Sequence, residues 1–190
     1  MVAATHAPRR WKSLPPTLVP LLEGADLVLH AGDVCVPAVL DELSAFAPVR
    51  VVLGNNDGPD VAAWGAGVPE TLSLEVAGLR VAMIHDAGPR QGRGRRMRRR
   101  FPEADVVVYG HSHIPMDLVE DGTHLFNPGS PTDKRRQPRH TAGILEIAAG
   151  ELVRQFECVG DTEGSEAGLR TGVRAHGWCR YSHGTSARRT

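Results

Sequence analysis

Val106-Val107-Val108-Tyr109-Gly110-His111-Ser112-His113 is the stretch that decides how the rest of the chain is read. Its β-branched run has the pattern of a buried strand. Gly110 ends the run, and two histidines follow with one residue between them. At a strand terminus that spacing aims both imidazoles into one pocket. Imidazole is a good ligand for zinc, iron, manganese and nickel. The ordinary alternative is a pair of loop histidines. Other strand ends decide between the two.

Upstream, residues 79–84 form the second strand of a predicted hairpin with the alternating segment 71–76, turning at Ala77-Gly78. That strand ends in His85-Asp86. Residues 49–53 predict another strand, ending in Gly54-Asn55-Asn56-Asp57-Gly58. This is ordinary turn chemistry, and it also presents an amide oxygen to a metal or phosphate. The predicted strand 26–31 ends in Gly32-Asp33; the competing role for Asp33 is N-cap of the helix predicted over 37–46. Residues 2–5 predict a short strand before His6, which alone would read as a solvated side chain. Leu14, Leu18, Leu21 and Leu22 predict a helix over 14–23, with Pro15 and Pro16 in its first turn and Gly24 at its end. Residues 60–70 read as a loop or short helix.

Downstream, residues 116–119 and 123–126 flank Glu120-Asp121-Gly122, a hairpin signal. Asn127-Pro128-Gly129-Ser130-Pro131 reads by itself as a plain turn. A basic loop covers 134–139, and a last hairpin joins 141–148 to 151–157 across Ala149-Gly150. Residues 160–190 lose all apolar periodicity and are expected to be a disordered tail, leaving 1–159 as the domain. His176 and His183 beside Cys179 are too irregularly spaced for a zinc site.

The 190 residues, 41% hydrophobic, suit one domain with a real core. Zero net charge gives the whole molecule no electrostatic case for nucleic acid or membrane. Seven arginines between residues 90 and 100 read as a solvated helix face with Met97 and Phe101 turned inward. The alternative is a positive rim that attracts an anionic substrate; the nucleic-acid reading lacks interleaved aromatics. Cys35, Cys158 and Cys179 form no pair by spacing, which fits a reducing compartment, with Cys35 expected to be buried and inert. No signal-peptide core or membrane-length apolar run is present, so a soluble cytoplasmic protein is expected. Oligomeric state is not legible.

Taken together, His6, Asp33, Asn55, His85, His111 and His113 each follow a predicted strand. Strand C-termini in α/β folds share one edge, where sites form. Oxygen and nitrogen donors without a thiolate suit two hard or borderline divalent ions, with a carboxylate able to bridge them. Two ions about 3.5–4 Å apart can clamp a phosphoryl group for in-line attack. The chain begins with strand–helix alternation and finishes in hairpins. That order predicts an α/β fold, a four-layer α-β-β-α sandwich of two mixed sheets.

The series Thr5-His6, Gly32-Asp33, Gly54-Asn55-Asn56-Asp57, His85 and Gly110-His111-Ser112-His113 resembles the calcineurin-like metallophosphoesterase superfamily. Asn127-Pro128-Gly129-Ser130 resembles its small YfcE-type phosphodiesterase branch, over residues 2–159. The resemblance implies that Asp33 bridges two ions, one also held by His6 and His113, the other by Asn55, His85 and His111. It implies catalytic positions at Asn56, facing the phosphate, and at Asp57, orienting its neighbours. The implied cofactors are divalent ions, manganese first, with nickel, iron and zinc as alternatives. The implied reaction is hydrolysis of a phosphate ester, most simply a diester, by a metal-bound hydroxide. One position departs from the pattern: the family has Asp-x-His where this chain has Ala4-Thr5-His6. A methyl group ligates nothing, so the first ion is expected to be weakened and activity reduced. The rival expectation is a non-catalytic protein-interaction module on the same scaffold, as in Vps29-like members.

Overall fold

The computed structural model describes residues 1–148 and 151–159. The expected tail, with His176, Cys179 and His183, lies outside the described residues, as does the Ala149-Gly150 turn. The chain enters through a 3₁₀ turn at Pro16–Leu18 and α1 (Val19–Glu23). It continues through β1 (Val28–His30), α2 (Ala38–Ser44), β2 (Val49–Val51) and α3 (Pro59–Ala62). Then come β3 (Thr71–Val76), β4 (Leu79–Ile84), α4 (Arg93–Arg100), β5 (Val106–Tyr109), β6 (Met116–Glu120) and β7 (Thr123–Asn127). The hairpin β8 (Thr141–Ala148) and β9 (Glu151–Cys158) closes it.

Five strands form a mixed sheet in the order β3-β4-β5-β7-β6. The pairs β4–β5 and β5–β7 are parallel, and both outer pairs are antiparallel hairpins. Every residue of β5 is buried, as a strand covered on both faces requires. The parallel pair β1–β2 belongs to the second layer. Val2 pairs with His30 of β1, while Met1 exchanges backbone hydrogen bonds with Gly143 of β8. Residues 1–2 therefore link β1–β2 to β8–β9.

Three apolar clusters define the layers. Val28, Leu40, Leu43, Val49 and Val61 pack α1–α3 on the outer face of β1–β2. Leu29, Ala31 and Val52 meet Met83, Val106, Val108 and Phe126 between the sheets. Met97 of α4 covers Ala82, Val107 and Leu125 on the far face. The predicted α-β-β-α sandwich is the observed one.

Several elements are shorter than the sequence implies, the strand expected over 49–53 (β2) and the helix expected over 37–46 (α2) among them, and three are shortened for identifiable backbone reasons. Residues 2–5 make a single bridge, because Ala4 and His6 have φ of 53° and 49°. A strand cannot hold the left-handed region. The strand predicted over 26–31 shortens to β1; it is followed by Gly32 and Asp33 with φ of 84° and 60°. The helix predicted over 14–23 splits where Pro20 removes a donor.

The arginine run resolves into distinct environments. Arg93 is buried; it donates to Gly88 O at 2.7 Å and Tyr109 Oη at 2.8 Å, with its guanidinium over the Tyr109 ring. Arg96 donates to the carbonyls of Ala87, Pro89 and Gln91. Arg99 is exposed. Met97 does point inward, as expected, but Arg93 does not belong to a solvated face. Arg93→Ala removes the donors to the half-buried Gly88 carbonyl, takes from the Tyr109 hydroxyl the bond it accepts while leaving the one it donates to Met116 Sδ, and opens a cavity. We expect it to cost about 2–4 kcal/mol in denaturant unfolding, against less than about 0.5 kcal/mol for Arg99→Ala. Equal midpoints for the two variants would refute this packing role.

Candidate metal centre

The parallel strands bring their C-terminal ends to one edge. Asp33 and Asn55 follow β1 and β2; His85, His111 and His113 follow β4 and β5. His6 arrives from the terminal segment that pairs beside β1. The loops are unusually constrained. Ala4, His6, Asp33, Cys35, His111 and His113 all adopt positive φ, between 49° and 71°. Asp33 is not the cap of α2, whose N-cap is Pro37 and which has no side-chain cap.

All six expected ligand residues come together. Asn55 Oδ1 lies 3.1 Å from His85 Nε2 and 2.9 Å from His111 Nδ1. His85 Nε2 is 3.3 Å from both His111 Nδ1 and Asp33 Oδ2. His6 Nε2 lies 3.2 Å from His113 Nε2 and 3.6 Å from the same Asp33 oxygen. Asp33 Oδ2 thus stands between two donor groups. One comprises His85, His111 and Asn55; the other comprises His6 and His113.

The donor chemistry fits cations. His85 Nδ1–H donates to Ala31 O at 2.7 Å, and His113 Nδ1–H donates to Asp133 O at 2.5 Å. Those bonds leave the Nε2 lone pairs turned into the cluster. There they face a carboxylate and an amide oxygen, which are also acceptors. A positive charge among them, either a bound cation or the second proton of His85, relieves that opposition. Donors that share an ion at bonds of about 2.1 Å lie about 3.0–3.4 Å apart, the spacing found here.

The titration of these groups has the same cause. Burial disfavours the charged form of Asp33, but hydrogen bonds from His85 and Asn56 outweigh it and hold Asp33 well below the usual carboxylate range. Burial alone would lower His85, yet Asp33 and the Ala31 carbonyl raise it on balance. His6 and His113 are lowered chiefly by burial, which keeps their lone pairs free for a cation. Metal and proton compete at such a site.

Asn56 and Asp57 hold this frame. Asn56 donates to Asp33 from its backbone N–H and from Nδ2, each at 2.9 Å. Asp57 accepts from the N–H groups of Asp33 at 3.0 Å, Gly54 at 2.7 Å and Cys35 at 2.7 Å. Cys35 is half-buried rather than buried, with Sγ 3.7 Å from His6 Nδ1. Burial, with Asp57 and Asp33 nearby, pushes its thiol up to about 11, so it stays protonated.

The sequence reading missed the other wall. The Asn-Pro-Gly-Ser turn is a buttress. Asn127 Nδ2 donates to Gly110 O at 2.7 Å and Ser112 Oγ at 3.1 Å. Ser130 Oγ donates to Ala4 O at 2.8 Å, and Thr132 Oγ1 to Thr5 O at 2.9 Å. These contacts place Asp133 beside His6 and His113, where the three can each offer one ligand atom within 4.8 Å of the others.

A fold of two layered sheets with oxygen and imidazole donors at one strand edge defines a metal-dependent hydrolase class. The calcineurin-like phosphoesterase superfamily domain matches residues 1–150, and the chain belongs to that family. It is similar to a probable metallophosphoesterase of Methanothermobacter thermautotrophicus, 34% identical over 137 residues, covering 71% of this chain and 77% of that protein. Its fold is shared with a novel archaeal phosphodiesterase (TM-score 0.62, 22% identity, 82% of this chain and 97% of that one). It is shared equally with Entamoeba histolytica Vps29 complexed with zinc (TM-score 0.63, 22% identity, 83% and 96%). No helix among the described residues is long and apolar enough to cross a membrane.

Proposed function

We propose that the chain is a metal-dependent phosphodiesterase, served best by manganese, with nickel, iron or zinc as alternatives. The observation that carries this reading is the convergence of Asp33 Oδ2, Asn55 Oδ1, His85 Nε2 and His111 Nδ1 at 2.9–3.3 Å between neighbours. In this reading these four hold one ion. His6, His113 and the shared Asp33 hold the other. Bound divalent ions supply Lewis acidity and an activated water for attack at phosphorus.

The chain's own residues position that chemistry. Asn56 locks both Asp33 oxygens, so the bridging carboxylate cannot rotate away. Asp57 fixes the Asp33 and Gly54 loops against one another. The Ala31 and Asp133 carbonyls set the tautomers of His85 and His113. Arg10, half exposed beside Asp133, offers the incoming phosphate a positive group.

The test is hydrolysis of bis-p-nitrophenyl phosphate by metal-stripped protein on addition of manganese. Metal-dependent turnover is expected in the wild type and its loss to background in Asp33→Ala. Equal rates in the two proteins across all manganese concentrations would end this reading. Ala4 favours a second one, a non-catalytic interaction module of the Vps29 kind. A stoichiometric partner retained in chelator, with no turnover, would favour that alternative.

A further inference from the structure

Ala4 is fully buried, and its methyl offers no ligand where the family pattern carries a carboxylate. In the reading above, the first ion would then hold two neutral imidazoles and half of Asp33. The loop packed against Ala4 carries a carboxylate that neither the family pattern nor that reading uses. The loop 130–133 is stitched directly to the backbone at Ala4 and Thr5. Ser130 Oγ donates to Ala4 O, and Asp133 N–H donates to Ser130 Oγ at 2.9 Å. Thr132 Oγ1 bonds Thr5 O. Asp133 is thereby anchored next to the residue that lacks its acid.

Among the described residues the Asp133 carboxylate makes only long contacts. Arg10 Nε lies 3.8 Å from its Oδ2, and the Arg135 N–H reaches Oδ1 only at 3.4 Å. With His6 and His113 it can present a ligand atom inside a 4.8 Å group. Its Oδ2 lies 3.8 Å from His113 Nδ1, the nitrogen that donates to the Asp133 carbonyl, so coordination requires the carboxylate to rotate from that edge of the ring toward the Nε2 side. Donors on opposite sides of one ion stand about 4.3 Å apart at ordinary bond lengths, the scale of that group. The side chain is 19% exposed, which leaves room for that rotation.

Resting on the two-ion reading, we infer that Asp133 supplies from the adjoining loop the carboxylate that Ala4 lacks, completing the first site as His6, His113, Asp133 and the shared Asp33. The second ion's ligands are untouched. The negative charge missing at position 4 is then supplied from position 133 without being removed from the pair.

The test is equilibrium manganese binding to metal-stripped full-length protein, read by elemental analysis and by calorimetric titration. Wild type, Asp133→Asn, Ala4→Asp and the double variant are compared. Two ions per chain are expected in the wild type. Asp133→Asn keeps one and weakens the other at least tenfold, and adding Ala4→Asp to it restores the second. The restoring variant answers the case in which Asp133→Asn merely disturbs the loop. Two ions with unchanged affinity in Asp133→Asn would overturn the inference. So would one ion in the wild type and two in Ala4→Asp. With manganese-dependent hydrolysis present, either result leaves the phosphodiesterase reading standing. Absence of any bound ion and of turnover would remove both.

Discussion

Gly54→Ala is expected to destabilise the protein by about 3 kcal/mol and to abolish manganese binding at both positions. A Cβ at residue 54 would lie 2.2 Å from Asp33 N, 2.3 Å from Asp33 Oδ1 and 2.9 Å from Asp33 Cα. Two of these atoms are backbone and cannot rotate aside. The Asp33 N–H and the Gly54 N–H both donate to Asp57 Oδ2, at 3.0 and 2.7 Å, so separating the loops breaks that shared acceptor too. Overpacking a tight contact costs about 1–3 kcal/mol, and the lost buried hydrogen bonds add to it. Metal uptake fails with it, because Asp33 is the one carboxylate common to both proposed ions. Gly58→Ala is the control: an added Cβ there meets nothing within 4 Å and φ is −92°. Denaturant unfolding with parallel manganese titration reads both effects. Wild-type stability and metal content in Gly54→Ala would refute the close packing of these two loops.

The second large effect is acid lability from His30. This residue is fully buried on β1; its Nε2 meets Thr5 Oγ1 at 3.2 Å, while Nδ1 has no hydrogen-bond partner among the described residues. Burial, helped by His85, lowers its pKa to about 3. The unfolded chain takes up the proton near pH 6.5, its ordinary value, whereas the folded chain refuses it down to about 3. Between those values the unfolded state binds more protons, so stability falls as pH falls. The full slope of about 1.4 kcal/mol per unit is reached only once the unfolded chain is protonated, so the drop from pH 6.5 to 4.5 is about 2 kcal/mol from this group. His30→Leu removes the titration and should flatten that segment of the curve by the same amount. Unfolding in chelator at pH 6.5, 5.5 and 4.5 separates this from metal release. His6 and His113 also titrate low, but they do so in both proteins and cancel in the difference. Parallel curves for wild type and His30→Leu would refute the assignment.

Where the local pattern and the tertiary environment agree, the fold was legible. The Asp-Gly hairpin of β6 and β7 turns through Asp121 and Gly122 at φ of 51° and 73°, the left-handed pair that such a turn requires. The alternation in 71–76 marks a strand with an open face, and β3 is the edge of the sheet. The convergence of the six side chains was legible because a side chain at the end of a parallel strand needs only its strand to be placed. Asp133 was not legible. It sits in a basic, proline-rich loop with no periodicity, and its location is set by hydrogen bonds to Ala4 and Thr5, more than 120 residues away in the chain. Arg93 was hidden for a related reason: seven arginines look alike until Gly88 and Tyr109 are folded against one of them. For Asn56 and Asp57, turn chemistry and site support are the same thing. The side chains that shape the turn are those that grip Asp33.

The left-handed residues around the pocket have an evolutionary consequence. A non-glycine residue in that region carries about 1 kcal/mol of strain, and six such residues crowd one edge of this protein. Glycine at His6, Cys35 or His111 would relax the backbone. A lineage selected only for heat tolerance would therefore drift toward a sturdier protein with an eroded pocket, since the easiest gains lie where the donors are.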